Sequence, residues 1–389
     1  MHLDATVNIP FDAYQHRNRE PSGGAAARGL TVEPATRSGK QEGYQDMGKV
    51  LVTIALAAGL GIAATGVQAQ TTTSATLDAV KAKGFVQCGV TGGVPGFSAP
   101  DANNVWTGIE VDYCRALAAA IFNDADAVRF TPLTSQERFT ALSAGEIDVL
   151  SRTTTWTMSR DTQLGIKFVG TMFYDGQGFM VRKEDGIASA LDLSGAAICI
   201  ESGTTTELNA ADYFAANKME FKTVVFVDQD EVVKAYEDGR CDVYTTDSSA
   251  LAAERSKFAN PADHIILPEI ISKEPLGPVV RQGDDGWFNI ARWTYFALLE
   301  AEELGVTSVN VDEMLGSDNP AIKRLLGVEG DFGTPIGLTK DWAYQIIKHV
   351  GNYSETYERN VGPSTAIGLA RGLNALWRDG GIQYSPPIR

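Results

Sequence analysis

Residues 152–157 read Arg-Thr-Thr-Thr-Trp-Thr, and Arg160 follows three positions later. Hydroxyls and backbone groups at this density can meet a cation and an anion alike. Thr157 suits a helix N-cap, which puts Arg160 in a first helical turn where the dipole disfavours a cation. Its guanidinium therefore serves something other than helix stability. That is either a bidentate grip on a carboxylate or an ordinary surface ion pair. The threonines, taken alone, equally suit a polar loop or strand edge. A second polar stretch, Ser-Gly-Thr-Thr-Thr-Glu at 202–207, pairs Thr204 with Glu207 as a capping box. Free N–H groups at such a helix start attract anions. Asp247 closes Asp-Val-Tyr-Thr-Thr-Asp and is expected at the N-cap of the next helix. Enzyme signatures are missing from the sequence: no G-x-S-x-G, H-E-x-x-H or P-loop occurs. Beyond residue 70 the histidines are His264 and His349, far apart in sequence.

The 389-residue chain carries a net charge of −16 without a basic stripe, which argues against a nucleic-acid partner. Residues 1–46 are polar and lack a sustained apolar period, so disorder or a misassigned N-terminal extension is expected. Met47-Gly48-Lys49 then leads into an apolar run at 50–64, and Val67-Gln68-Ala69 supplies a small-x-small cleavage signal. This is the pattern of a secretory signal peptide at 47–69, cleaved near Ala69, with a membrane anchor as the alternative. A signal peptide belongs at a true N-terminus, so Met47 is read as the start and the mature chain spans about 320 residues.

The mature part alternates short apolar runs with helical patterns. Strands are expected at 85–90, 128–132 and 147–150. Helices are expected between them, with Val111, Cys114, Ala118, Ile121 and Phe122 on one face and a second helix at 138–144. The rhythm repeats at 197–200, 224–227 and 242–245, followed by a helix from Asp247 to about 257 and a short strand at 265–267. Such β-α-β-α-β units imply parallel strands with crossover helices. Isolated β-like runs at 178–182 and 276–281 read as two chain crossings. The remainder reads as helical, at 287–303, 321–326, 342–350 and about 365–377. The expected organisation is an α/β fold of two lobes: 77–180 with 281–389, which includes a helical C-terminal extension, and 181–280. A cleft between such lobes is where a small ligand binds. Cys88, Cys114, Cys199 and Cys241 allow three pairings or free thiols. Export favours disulfides, and Cys88 with Cys114 and Cys199 with Cys241 keep each bridge within one lobe. The lack of C-x-x-C argues against zinc or thioredoxin chemistry.

Four ordered blocks then carry a family resemblance. They are TGIEVDYCRALAAAIF (107–122), ERFTALSAGEIDVLSRTTTWTMSRD (137–161), SGTTTE (202–207) and GRCDVYTTD (239–247). The chain resembles the polar-amino-acid solute-binding proteins of bacterial ABC transporters. Within them it looks like the longer general L-amino-acid and glutamate/glutamine/aspartate/asparagine-binding proteins, whose C-terminal extension matches its own. The resemblance implies a periplasmic-binding-protein-like fold with two hinge crossings and a location in the periplasm. It also implies capture of free L-amino acids and their delivery to an inner-membrane permease by a monomer that needs neither cofactor nor metal.

A zwitterion must have both ends neutralised, since a buried unpaired charge is very costly. By resemblance, Arg160, the Thr155 amide and Thr205 meet the carboxylate. Asp247, the Thr153 carbonyl and the Thr155 hydroxyl meet the ammonium. Thr91, Val94, Ser135 and Glu201 are expected to line the side-chain pocket, with Phe97, Arg138 or Trp156 approaching. Relatives that bind basic amino acids carry an acid where Thr91 stands. Glu201 favours polar or basic side chains and Arg138 acidic ones, so the two cues are opposed. Two other classes share the scaffold: a lyase or dehydratase acting on amino-acid-related acids, and a receptor ectodomain, which would carry a downstream membrane span and signalling domain.

Overall fold

Ser74 accepts a hydrogen bond from the Leu77 amide and so starts α1 (Ala75–Lys83), the first element of the computed structural model, which describes residues 73–389. The expected disordered stretch and signal peptide lie outside the described residues. Next come β1 (Val86–Val90), a two-stranded ribbon of β2 (Ala99–Pro100) and β3 (Trp106–Thr107), and α2 (Ile109–Phe122). The first lobe continues with β4 (Val128–Pro132), α3 (Arg138–Ala144), β5 (Val149–Leu150), α4 (Met158–Gln163) and β6 (Ile166–Phe168). After β7 (Phe173–Asp175) the chain enters the second lobe. There β8 (Gln177–Arg182), β9 (Ala197–Glu201), α5 (Thr206–Ala216), β10 (Lys222–Phe226), α6 (Gln229–Glu237), β11 (Val243–Asp247), α7 (Ser248–Arg255) and β12 (His264–Ile266) follow in order. It returns through β13 (Glu274–Leu276) to β14 (Val279–Arg281) and then to α8 (Asp285–Glu303), α9 (Val311–Met314), α10 (Pro320–Leu325), α11 (Trp342–Val350) and α12 (Tyr353–Asn360).

The two sheets share one plan. The first runs β4-β1-β5-β14-β6 and the second β10-β9-β11-β8-β12. In each, three parallel strands are followed by two antiparallel contacts made by a single strand, β14 or β8. Val86, Cys88 and Val90 are fully buried, as the centre of a sheet covered on both faces requires. The apolar stripe expected on the first helix understates its burial. Helix α2 lies between its sheet and the C-terminal helices α8 and α11, so even Glu110 and Asp112 are covered. Both cysteine pairs are bridged as expected, Cys88–Cys114 between β1 and α2 and Cys199–Cys241 beside β9 and β11.

Two expectations give way. The run at 178–182 is not a crossing, and the run at 276–281 starts on one at Leu276 but otherwise leads into a sheet strand. Strand β8 sits inside the second sheet and β14 inside the first. The chain passes between lobes at β7 and β13, which pair antiparallel with Glu274 opposite Asp175. Three-residue crossings of mixed polarity leave no periodic signal, whereas the buried internal strands do. The lobes therefore exchange some residues earlier than the expected limits at 180 and 280. The helix expected near 365–377 does not form either. Gly368 and Gly372 adopt left-handed φ of 70° and 49°, and only a three-residue turn, Gly372–Asn374, remains. A helix stands earlier instead: Asn352 and Glu355 make a reciprocal capping box that starts α12.

Candidate functional site

The polar run follows β5 and ends by capping α4, where Thr157 Oγ1 accepts from the Arg160 amide at 3.3 Å. Within it, Thr153 has a φ of +30°, rare for a β-branched residue. The Thr153 amide donates to the Glu110 carboxylate, which also accepts from Ser98 Oγ at 2.9 Å. Burial, its largest influence, pushes Glu110 up. The next residues are zipped onto the second crossing: Gly277 donates to Thr154 O at 3.1 Å, Trp156 to Pro275 O at 2.8 Å, and Thr155 bridges Leu276. Only glycine fits at 277, because a Cβ would lie 1.8 Å from the Gly170 carbonyl. Arg160 Nη1 donates to Thr155 O at 3.0 Å, so this guanidinium props the run from behind.

The second lobe brings a matching edge. The expected capping box at Thr204 is not made: Thr204 Oγ1 donates to Glu201 O at 2.7 Å, and α5 begins one residue later with Thr205 as a non-capping N-cap. Its hydroxyl donates to Glu274 at 3.0 Å and lies 3.4 Å from the Thr155 hydroxyl of the other lobe. Gly203, at a φ of +76°, lets the preceding turn approach Ser135 and Gln136, where a Cβ would stand 3.0 Å from the Gln136 side chain. Asp247 holds the N-cap position of α7 without capping it. Asp175 from the first crossing takes the Ser249 amide and hydroxyl instead, which leaves the Asp247 carboxylate without a hydrogen bond among the described residues.

These edges face each other across a narrow chamber that is lined by Val94, Ser135, Thr153, Thr155, Glu201, Thr205 and Asp247 together with Arg138 and Arg152. Arg138 is 2% exposed. Its guanidinium reaches the carbonyls of Arg152, Thr153 and Gly203 at 3.4 Å but no carboxylate, and its Nε, like Ser135 Oγ, has no partner among the described residues. Burial, then Arg152 and Arg160, pull Arg138 well below the usual arginine range. On the opposite wall, burial and then Asp175 and Glu274 hold Asp247 well above the usual carboxylate range, against the pull of Arg138 and Arg160. Burial raises Asp175 to about 6. A cation without a carboxylate contact and an acid without a hydrogen bond thus stand in one chamber, an arrangement that suits a dipolar guest.

The lobes touch around it. Gln136 Nε2 donates to Ser202 Oγ at 2.9 Å, and Arg152 reaches Glu201 at 3.4 Å. A second, roomier chamber of about 170 Å³ adjoins the first and shares Val94, Arg152, Glu201 and Gln229 with it.

A family model described as bacterial extracellular solute-binding proteins, family 3, matches residues 86–304. The chain belongs to this family. The general L-amino acid-binding periplasmic protein AapJ of Rhizobium johnstonii is 60% identical over 86% of this chain and 98% of its own length. The glutamate/glutamine/aspartate/asparagine-binding protein BztA of Rhodobacter capsulatus is 54% identical over 81% and 94%. A solved family structure, the ABC transporter periplasmic binding protein from Brucella ovis with glutathione bound, is 60% identical with a TM-score of 0.79. It covers 81% of this chain and 99% of that one.

The solute-binding-protein fold thus brings together seven of the nine residues expected to touch a ligand. Arg160 is not among those lining the chamber, and its guanidinium contacts the Thr155 carbonyl there. Thr91 lines the second chamber, with its hydroxyl already committed to Ser98. Sequence reasoning passed over Arg152, Gln229, Asp175 and Glu274. Arg152 stood inside the quoted polar run, and its adjacency to Thr153 was the available signal. The two crossing acids had none, because only the pairing of β7 with β13 brings them beside Asp247. Neither His264 nor His349 lines the chamber.

Proposed function

We propose that this chain is the periplasmic binding component of an amino-acid ABC transporter. It takes free L-amino acids, across a broad range or as glutamate, glutamine, aspartate and asparagine, and presents them to the inner-membrane permease. In this reading residues 47–69 are the export signal, the mature protein acts as a monomer without a cofactor, and it carries out no catalysis. One observation carries the proposal: Arg138 from one lobe, without a carboxylate contact, and Asp247 from the other, without a hydrogen bond, line the same chamber. The names of two similar relatives support it. The α-carboxylate goes to the Arg160-backed Thr155 edge and the α5 N-terminus, and the ammonium to Asp247 and the Thr153 carbonyl. Contacts to both lobes stabilise the closed form, so ligand shifts the population toward what the permease recognises.

The test is calorimetric titration of the mature protein with the L-amino acids beside analogues lacking either α-group. Binding that needs both α-groups supports the assignment, and indifference to them refutes it. The adjoining chamber favours a second reading, in which ligands longer than an amino acid enter by an α-amino-acid end. Glutathione, bound in the Brucella relative, is the probe, and competition with glutamate for one site is the expected result.

A further inference from the structure

Arg152 and Glu201 occupy the boundary between the two chambers and line both. Arg152 comes from the first lobe and Glu201 from the second, and both side chains are largely buried, with 5% and 12% exposure. Their contact is single and long, Nη2 to Oε1 at 3.4 Å. A guanidinium and a carboxylate committed to each other usually meet closer and through two hydrogen bonds. Each is also anchored elsewhere. Arg152 Nε donates to Leu133 O at 2.9 Å, and Glu201 Oε1 accepts from the Ser135 amide at 3.4 Å. Arg152 Nη1 and Glu201 Oε2 have no partner among the described residues, yet neither is a sealed, unsatisfied atom, so both have room for a hydrogen bond from the chamber side.

Resting on the amino-acid reading above, we propose that Arg152 and Glu201 form a charge-adaptive specificity element that reads the ligand's side-chain terminus. An acidic terminus turns to Arg152 and a basic one to Glu201, while an amide donates to Glu201 and accepts from Arg152. The pair member that is not used is not stranded, because its partner stays within reach and its backbone anchor persists. A single fixed charge would instead reject half of the ligands through an unpaired buried charge. The pair therefore admits both signs within one rigid pocket.

The alternative is that the pair only latches the lobes shut, and the two roles separate in one experiment. Wild type, Arg152→Gln, Glu201→Gln and the double variant are titrated calorimetrically with glutamate, glutamine and arginine. Arg152→Gln is expected to weaken glutamate at least about tenfold relative to glutamine while sparing arginine, and Glu201→Gln to do the reverse. The double variant, free of a stranded charge, is expected to favour glutamine over both charged ligands; it settles the question should a single variant fail to fold. Equal weakening of all three ligands by each variant would overturn the specificity role and leave a latch. Failure of wild type to bind any of the three would sink the amino-acid reading itself, which is a different outcome.

Discussion

Arg160 was visible as a single residue because a first turn gains little from a cation, and Asp247 because an acid closing a polar strand suits the N-cap of the next helix. The structure divides the cation's task. Arg160 backs the Thr155 edge, while Arg138 faces the chamber without a carboxylate. Arg160→Ala is expected to cost about 1–3 kcal/mol of amino-acid binding, through loss of the charge-assisted hydrogen bond that holds the Thr155 carbonyl. Titration checks it, and unchanged affinity contradicts the prop. Asp247→Asn is expected to weaken α-amino acids far more than ligands lacking the amine; equal losses contradict the ammonium assignment. Glu110 stood unremarked inside the block at 107–122. Only the fold shows that it holds Thr153 at positive φ. Glu110→Gln should weaken binding by about 1–3 kcal/mol through loss of a charge-assisted hydrogen bond.

At the scale of elements, strands and crossover helices were legible because buried parallel strands are apolar and bounded by turns. The C-terminal extension was less so. At the hinge one of its side chains, Asn374, accepts from the Tyr174 amide at 2.7 Å and donates to the Tyr174 carbonyl at 3.1 Å. It thus pairs with the crossing strand β7 as a neighbouring strand would. Asn374→Ala should loosen that crossing, seen as faster hydrogen exchange at 173–175 with the rest of the first lobe unaffected. The disulfides close separations of 26 and 42 residues, which correspond to about 3.5 and about 4 kcal/mol of chain-entropy stabilisation. Replacing Cys199 and Cys241 together by alanine should lower the unfolding temperature without removing the binding site, a shift that calorimetry measures.

For the whole molecule, three carboxylates meet at the hinge: Asp175 and Glu274 from the crossings and Asp247 from the second lobe. Asp175 titrates at about 6 when folded against 3.8 for a free side chain, so the folded state holds its proton more tightly. Stability of the unliganded protein should therefore fall as pH rises through that window, by on the order of 3 kcal/mol from this group. Below it both states are protonated and the contribution is full. Asp247, raised by burial and the same neighbours, acts in the same direction. Asp175→Asn should flatten the slope between about pH 4 and 6 in thermal unfolding. A ligand ammonium favours ionised Asp247, so binding should release protons and tighten as pH rises. Calorimetry in buffers of different ionisation heat detects that release.

The residue pattern alone determined the two-lobed α/β plan, the lobe-internal cysteine pairs and most of the residues that line the chamber. Burial period, cap chemistry and motif spacing are properties of short stretches of chain, and they survive without coordinates. What only the tertiary structure decided lies between distant stretches. The crossings sit at three-residue strands with no period of their own, and Asp175 and Glu274 converge on Asp247 through a pairing about a hundred residues apart. Arg152 meets Glu201 across the boundary between the lobes. Electrostatic energy depends on distances across the cleft, and no local spacing encodes them.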